Sequence, residues 1–195
     1  MIRSFLLILL LSAIGTLSAQ TIVPGYYITN TNDRMETKIK IPRSVFVAED
    51  LGKLLLKVEL IDTANESTKM KPGDIKAFGF VLHNKSYSYI SKPTGTDKNL
   101  KFLQPLVQGN NTSLYFFETL DQNGRHQGSF YTFEKAGGTY SYLSTGLLRL
   151  QKVKEQLTDF YKSYSGIDSL INTKFQNRVD LQKDLIDIAN EVNLR

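Results

Sequence analysis

The sequence predicts an α+β domain: a mostly antiparallel β-sheet or partly open barrel of about eight or nine strands, followed by C-terminal helices. Three observations carry this prediction. Apolar and polar residues alternate with period two through the first two thirds of the chain. Short clusters of Asn, Asp, Gly and Pro separate those stretches. Beyond about residue 144 the apolar spacing changes to threes and fours, the mark of an amphipathic helix.

The elements follow in chain order. Tyr26, Tyr27 and Ile28 begin a strand, and Met35, Thr37, Ile39 and Ile41 alternate with Glu36, Lys38 and Lys40 in the next. Between them Thr31, Asn32 and Asp33 supply a hairpin turn, since Asn and Asp tolerate positive backbone angles. From Leu54 to Ile61 the pattern puts Leu54, Leu56, Val58 and Leu60 on one face of a predicted strand. Lys71, Pro72, Gly73 and Asp74 read as a turn. Ile75 to Leu82 and Ser86 to Ile90 are predicted to pair across Asn84 and Lys85. After a polar loop from Ser91 to Asn99, Phe102–Val107 and Ser113–Thr119 flank the turn-rich QGNNT. Asn123-Gly124 is the strongest short hairpin signal and leads to a strand from Gln127 to Phe133, with Thr139 to Leu143 as a last short one.

The helical stripe is Leu147, Leu150, Val153, Leu157, Phe160, Tyr161 and Tyr164, ended by Ser165 and Gly166. Ile167 to Phe175 predicts a short helix. Asp180 is placed to cap a last one on which Leu181, Leu185, Ile188 and Val192 share a face. Covering the domain's own sheet is the simplest use of these stripes.

Residues 1–19 read as a secretory signal peptide: Arg3, an apolar run from Phe5 to Leu11, and small residues Ser18 and Ala19 at the exit. The run is shorter than the roughly 20 residues that span a bilayer, and no later segment is more apolar. The expected mature domain is residues 20–195, with a β-rich part over 20–143 and a helical part over 144–195 that packs on it. The chain has no cysteine, which excludes disulfides, thiolate chemistry and a lipid anchor on Cys, and suits a bacterial envelope protein with a core large enough to stand without cross-links. The four Asn-x-Ser/Thr triplets, at Asn65, Asn84, Asn110 and Asn111, are read as turns. The net charge of +5 is modest. Residues 20–110 hold 13 basic and 9 acidic side chains and residues 111–195 hold 10 of each, so no basic face for nucleic acid is expected.

Gly25-Tyr26 after a signal-like start, Pro72-x-Asp74-Ile75 with Phe78, and Gly109 followed by Leu114-Tyr115 together resemble a family of uncharacterised secreted proteins of Bacteroidota-type bacteria. The first turn departs from that pattern, with Asn32-Asp33 where Gly-Asp is usual. The resemblance implies an envelope-associated protein and assigns no catalytic residue.

The chain carries few residues arranged for chemistry. His83 and His126 each lie beside a predicted turn, with no nucleophile motif or metal-ligand spacing around them. The carboxylate pairs Glu49/Asp50, Asp62/Glu66 and Glu118/Asp121 read as solvated loop charges, and neither GNN nor AGGT has phosphate-loop spacing. No catalytic, cofactor-binding or metal-binding residue is assigned. The aromatic residues are more suggestive: Tyr87 with Tyr89 and Tyr140 with Tyr142 are expected as two same-face pairs, candidates for a binding platform or for ordinary sheet packing. The expected function is an exported, periplasmic or extracellular, non-enzymatic binding or structural domain of the bacterial envelope, whose partner is an envelope protein or polymer. The alternative is a carboxylate-dependent hydrolase of an envelope polymer.

Overall fold

The computed structural model describes residues 20–44, 47–94, 99–121, 126–144, 149–177 and 179–195. The signal-like segment, the Asn123-Gly124 turn and Leu147 lie outside the described residues. The architecture is α+β: a ten-stranded, open antiparallel sheet followed by three C-terminal helices. The strands are β1 (Ile22–Ile28), β2 (Arg34–Lys40), β3 (Val58–Ile61), β4 (Ser67–Met70), β5 (Ala77–Leu82), β6 (Lys85–Pro93), β7 (Leu100–Val107), β8 (Thr112–Leu120), β9 (His126–Lys135) and β10 (Thr139–Ser144). Their order across the sheet is β10-β9-β8-β7-β6-β5-β1-β2-β3-β4.

Two meanders meet at the β1/β5 pair. β1 to β4 run as one, closed at its first turn by Thr29 N–H donating to the Asp33 carbonyl (3.0 Å) with Asn32 at φ +70°. The link 71–76 then brings the chain back beside β1, with Gly73 at φ +101° and Ile75 buried in the core that this half encloses. β5 to β10 form the second meander.

Within the sheet the structure differs from the sequence reading in three places. The strand count is ten rather than eight or nine, because β4 is a short strand whose first three residues are exposed and show no alternation. The predicted strand Leu54–Ile61 is a 3-10 turn over Leu51–Leu55 followed by β3. Leu54 and Leu55 are both buried but in different clusters, and Leu56 is 62 % exposed, so the alternation expected of a strand fails here. The β5/β6 turn is His83-Asn84, at φ +50° and +61°, so β6 begins at Lys85 and the hairpin loop has two residues.

Helices α1 (Leu150–Phe160), α2 (Ile167–Thr173) and α3 (Leu181–Leu194) cover one face of β7–β10. Val153, Leu157, Tyr161, Ile171, Leu185, Ile188 and Val192 pack there on Leu114, Tyr131, Phe133 and Leu143. Each such side chain contributes about 1.5–3 kcal/mol of burial. α1 ends at Phe160, earlier than the stripe suggests, and turns lead to Gly166 at φ +74°. Asp180 sits at the N-cap of α3 without a side-chain cap bond; Asn177 Oδ1 instead accepts the Asp180 N–H. The last turn of α3 is fastened to the β7/β8 loop by Asn193, whose Oδ1 accepts the N–H groups of Asn111 (3.0 Å) and Thr112 (2.9 Å) and whose Nδ2 donates to the Thr112 carbonyl (2.9 Å). No described helix is long and apolar enough to cross a membrane.

Candidate binding cleft between β6 and β7

The sheet is continuous, but its middle ladder is short. β6 and β7 pair only from Ile90↔Leu103 to Pro93↔Leu100, whereas β6 pairs with β5 from Lys85 to Ile90. Beyond Leu103 the two strands part. Parity gives the reason. Ile90 N–H and C=O point toward Leu103, so on β7 the residues Lys101, Leu103 and Pro105 aim their backbone groups at β6. Pro105 has no N–H to give, and a central ladder cannot continue through it.

The gap forms a cleft of about 600 Å3. Its β6 wall is Lys85 to Tyr89, its β7 wall Gln104 to Leu106, and Leu51 and Leu55 of the 3-10 turn close one side. Leu54 enters the core of the first half while Leu55 packs on Leu103, Tyr115 and Phe117, so this turn plugs the seam. Inside it, Gln104 Nε2 donates to the Tyr89 hydroxyl at 2.9 Å, a side-chain cross-link just past the point where the backbone ladder stops. Gln182 on α3 also lines the cleft, held by the Tyr131 hydroxyl, which donates to its Oε1 at 3.2 Å.

The four tyrosines singled out in the sequence do not form one face. Tyr87 and Tyr89 do share a side. By register that side continues through Phe102, Gln104, Phe116 and Tyr131 to Leu143, the helix-covered side. Tyr140 and Tyr142 alternate with Ser141 and Leu143 and therefore stand on the opposite surface. Tyr89 is only 4 % exposed, stacked on Phe78 at 4.8 Å, and burial pushes its hydroxyl pKa up to about 12 against the opposing Gln104 bond. Tyr89 therefore serves the core. Tyr87 is half-buried, stacks on Phe80 at 5.3 Å and presents its outer side to the cleft.

On the other surface, Tyr142 stacks on Phe130 at 5.7 Å, and Tyr140 belongs to a cluster that composition did not reveal. Glu134 accepts Lys92 Nζ on both oxygens (2.9 and 2.8 Å), the Tyr115 hydroxyl at 2.8 Å and the Tyr140 hydroxyl at 2.7 Å. Burial works to raise the Glu134 pKa, but the Lys92 and tyrosine hydrogen bonds outweigh it and hold the carboxyl below its ordinary range. Burial and the carboxylate together push Tyr140 up to about 12, and Tyr115 higher still. Every oxygen of Glu134 is thus satisfied within the fold, and the group serves to pin β6, β8, β9 and β10 together. A second depression of about 400 Å3 adjoins it.

His83 lies exposed in its turn and meets Glu49 Oε2 at 2.8 Å; His126 is the first residue of β9. The paired carboxylates stay apart in role: Asp50 is buried beside Lys53 (3.6 Å), Asp62 accepts the Glu66 N–H in a turn, and Glu118 alone among them lines the large cleft. Among the described residues no three His, Asp or Glu side chains converge as metal ligands.

Comparison with known proteins finds no matching family model, no matching curated protein and no matching solved structure. Sequence reasoning missed Pro105 and Gln104 as site-forming residues. The one available signal was a proline inside a predicted central strand, which demotes pairing on the side it faces.

Proposed function

We propose that the protein is an exported, non-enzymatic binding domain of the bacterial envelope that takes its ligand in the β6/β7 cleft. The carrying observation is the cleft itself, a concavity of about 600 Å3 whose walls are rigid strands, with the half-buried ring of Tyr87 beside Ser86, Ser88, Gln104 and Gln182. Leu51, Leu55, Phe102, Phe116 and Phe117 share these walls with the neutral hydrogen-bonding groups and with Lys85 and Glu118, so the cleft offers apolar contact together with polar groups that can fix a ligand's orientation. The signal-like residues 1–19 and the resemblance to secreted Bacteroidota-type proteins support the envelope address. Hydrolysis by paired carboxylates has weaker support, since Glu118 is the cleft's single acidic lining residue among those described and that chemistry uses two.

The test is retention of solubilised envelope proteins and polymer fragments on the immobilised chain from Gln20, with Tyr87→Ala and, on the opposite surface, Tyr142→Ala. The expected result is a defined component lost with Tyr87→Ala and kept with Tyr142→Ala. Equal retention by all three forms overturns the cleft as the site.

A further inference from the structure

We infer that the β6/β7 cleft takes an extended peptide segment of a partner protein as an added strand, hydrogen-bonded to the free edge of β6 at Ser86 and Ser88. This rests on the cleft being the binding site and specifies what enters it.

The backbone carries the argument. With the two-residue loop His83-Asn84, Leu82 and Lys85 form the first hydrogen-bonded pair, so Lys85, Tyr87 and Tyr89 turn their N–H and C=O groups toward β5. Ser91 N–H, donating to the Lys76 carbonyl at 2.9 Å, keeps the same parity. Ser86, Ser88 and Ile90 therefore aim their backbone groups the other way. Ile90 finds Leu103. Ser86 and Ser88 have no ladder partner among the described residues, since the β6/β7 register ends at Ile90↔Leu103 just before Pro105, and both residues are exposed. The result is a strand edge inside a sheet, open at one stretch and walled on both sides. Such unpaired N–H and C=O rows are templates for strand addition. A sugar or lipid would leave this alternating donor and acceptor row poorly matched; an extended backbone repeats it.

Length and charge narrow the occupant. From Lys85 to Tyr89 the edge is about 14 Å long, room for about four residues of strand. An antiparallel guest runs in the direction β7 would have kept, with its carboxyl-terminal end at the mouth, next to Lys85. The Lys85 ammonium lies 5.1 Å from the Tyr87 ring, and no ion pair of Lys85 occurs among the described residues. An acidic residue or terminal carboxylate at that end completes it. Alternate guest side chains meet Tyr87, Phe116 and Gln182, which favours apolar or aromatic residues there.

The probe is a library of fluorescein-labelled pentapeptides that alternate Val or Tyr with Thr and end in Glu or in Lys, read by fluorescence anisotropy. Binding is expected for Glu-ended members, at least tenfold weaker after N-methylation of the edge-facing amides and at least tenfold weaker to Ser88→Pro, with Lys85→Glu reversing the preference to Lys-ended members. Ser88 donates nothing to β5, so the proline leaves that ladder intact; N-methylation leaves the protein untouched should Ser88→Pro unfold. Equal binding of N-methylated peptides overturns strand addition. If no peptide binds while retention of envelope material still depends on Tyr87, strand addition falls and the cleft stands. If no peptide binds and Tyr87→Ala retains as the native chain does, both fall.

Discussion

Replacing Asn193 by Ala removes the clasp between α3 and the β7/β8 loop, and its cost follows from the bonds it breaks. Two backbone N–H groups and one carbonyl lose their partner, and Thr112, which owns two of the three, is only 1 % exposed. At about 1 kcal/mol for each bond, with water reaching Asn111 more easily, the loss is about 2–3 kcal/mol. In a domain of this size that lowers the melting temperature by roughly 4–12 °C. Gly109 supplies a second handle on the same contact, because a methyl group there would lie 2.2 Å from the Asn193 amide. Gly109→Ala is therefore expected to destabilise by itself, and less so once Asn193 has become Ala and vacated the space. Urea unfolding of the two single variants and the double variant measures both terms, with a coupling of at least about 1 kcal/mol expected between them. A loss below about 0.5 kcal/mol for Asn193→Ala, or strictly additive single effects, refutes the clasp.

Two further predictions concern the seam and the opposite surface. Glu134→Gln is expected to cost about 2 kcal/mol at neutral pH, since it uncouples Lys92 and turns an acceptor toward donor duty among two tyrosine hydroxyls. Because the folded pKa of Glu134 is depressed, the stabilisation is present above the ordinary carboxylate value and lost as pH falls through the folded one. Native stability should therefore drop toward that of Glu134→Gln as the pH falls below the ordinary carboxylate value, and parallel stability curves on acidification would count against the assignment. In amide exchange, Ser86 and Ser88 are expected to exchange far faster than Tyr87 and Tyr89, which donate to β5; uniform protection from Lys85 to Tyr89 would mean that the edge is already occupied.

The sequence makes the succession of strands and helices legible because period two and the Asn, Asp and Gly turns are local signals, and the helical stripe through Val153, Leu157, Tyr161, Leu185 and Ile188 does bury itself on the sheet. β4 escaped because Ser67, Thr68 and Lys69 are exposed and paired on one side only, so nothing apolar marks them. The 3-10 turn passed as the start of a strand because Leu54, Leu56 and Val58 fit an alternation that Leu55 breaks; the decisive fact is that Leu54 and Leu55 serve different clusters. The aromatic pairs were legible as pairs, since same-face placement needs only i and i+2. Their assignment to opposite surfaces depends on a register carried through β6, β7, β8 and β9, which no local pattern contains. Glu134 was invisible for the same reason: Lys92, Tyr115 and Tyr140 reach it from three other strands.

The cleft also explains an arrangement that packing alone would not require. A ten-stranded sheet with a core at each half could run one unbroken ladder between them, yet β6 and β7 share only four paired positions. At the closed end Lys92 reaches over β7 and β8 to Glu134 on β9, and at the open end Gln104 holds the Tyr89 hydroxyl. Side chains thus brace β6 against β9 at the closed end and against β7 at the open end, on either side of the point where Pro105 ends the backbone pairing. A gap that was merely a packing defect would relax by closing, as β-strands with free donors and acceptors tend to do. Here a proline prevents pairing, Leu55 from the 3-10 turn packs on Leu103 at the apex, and Gln104 holds the Tyr89 hydroxyl across the opening, so the opening is built into the fold beside the Ser86 and Ser88 edge.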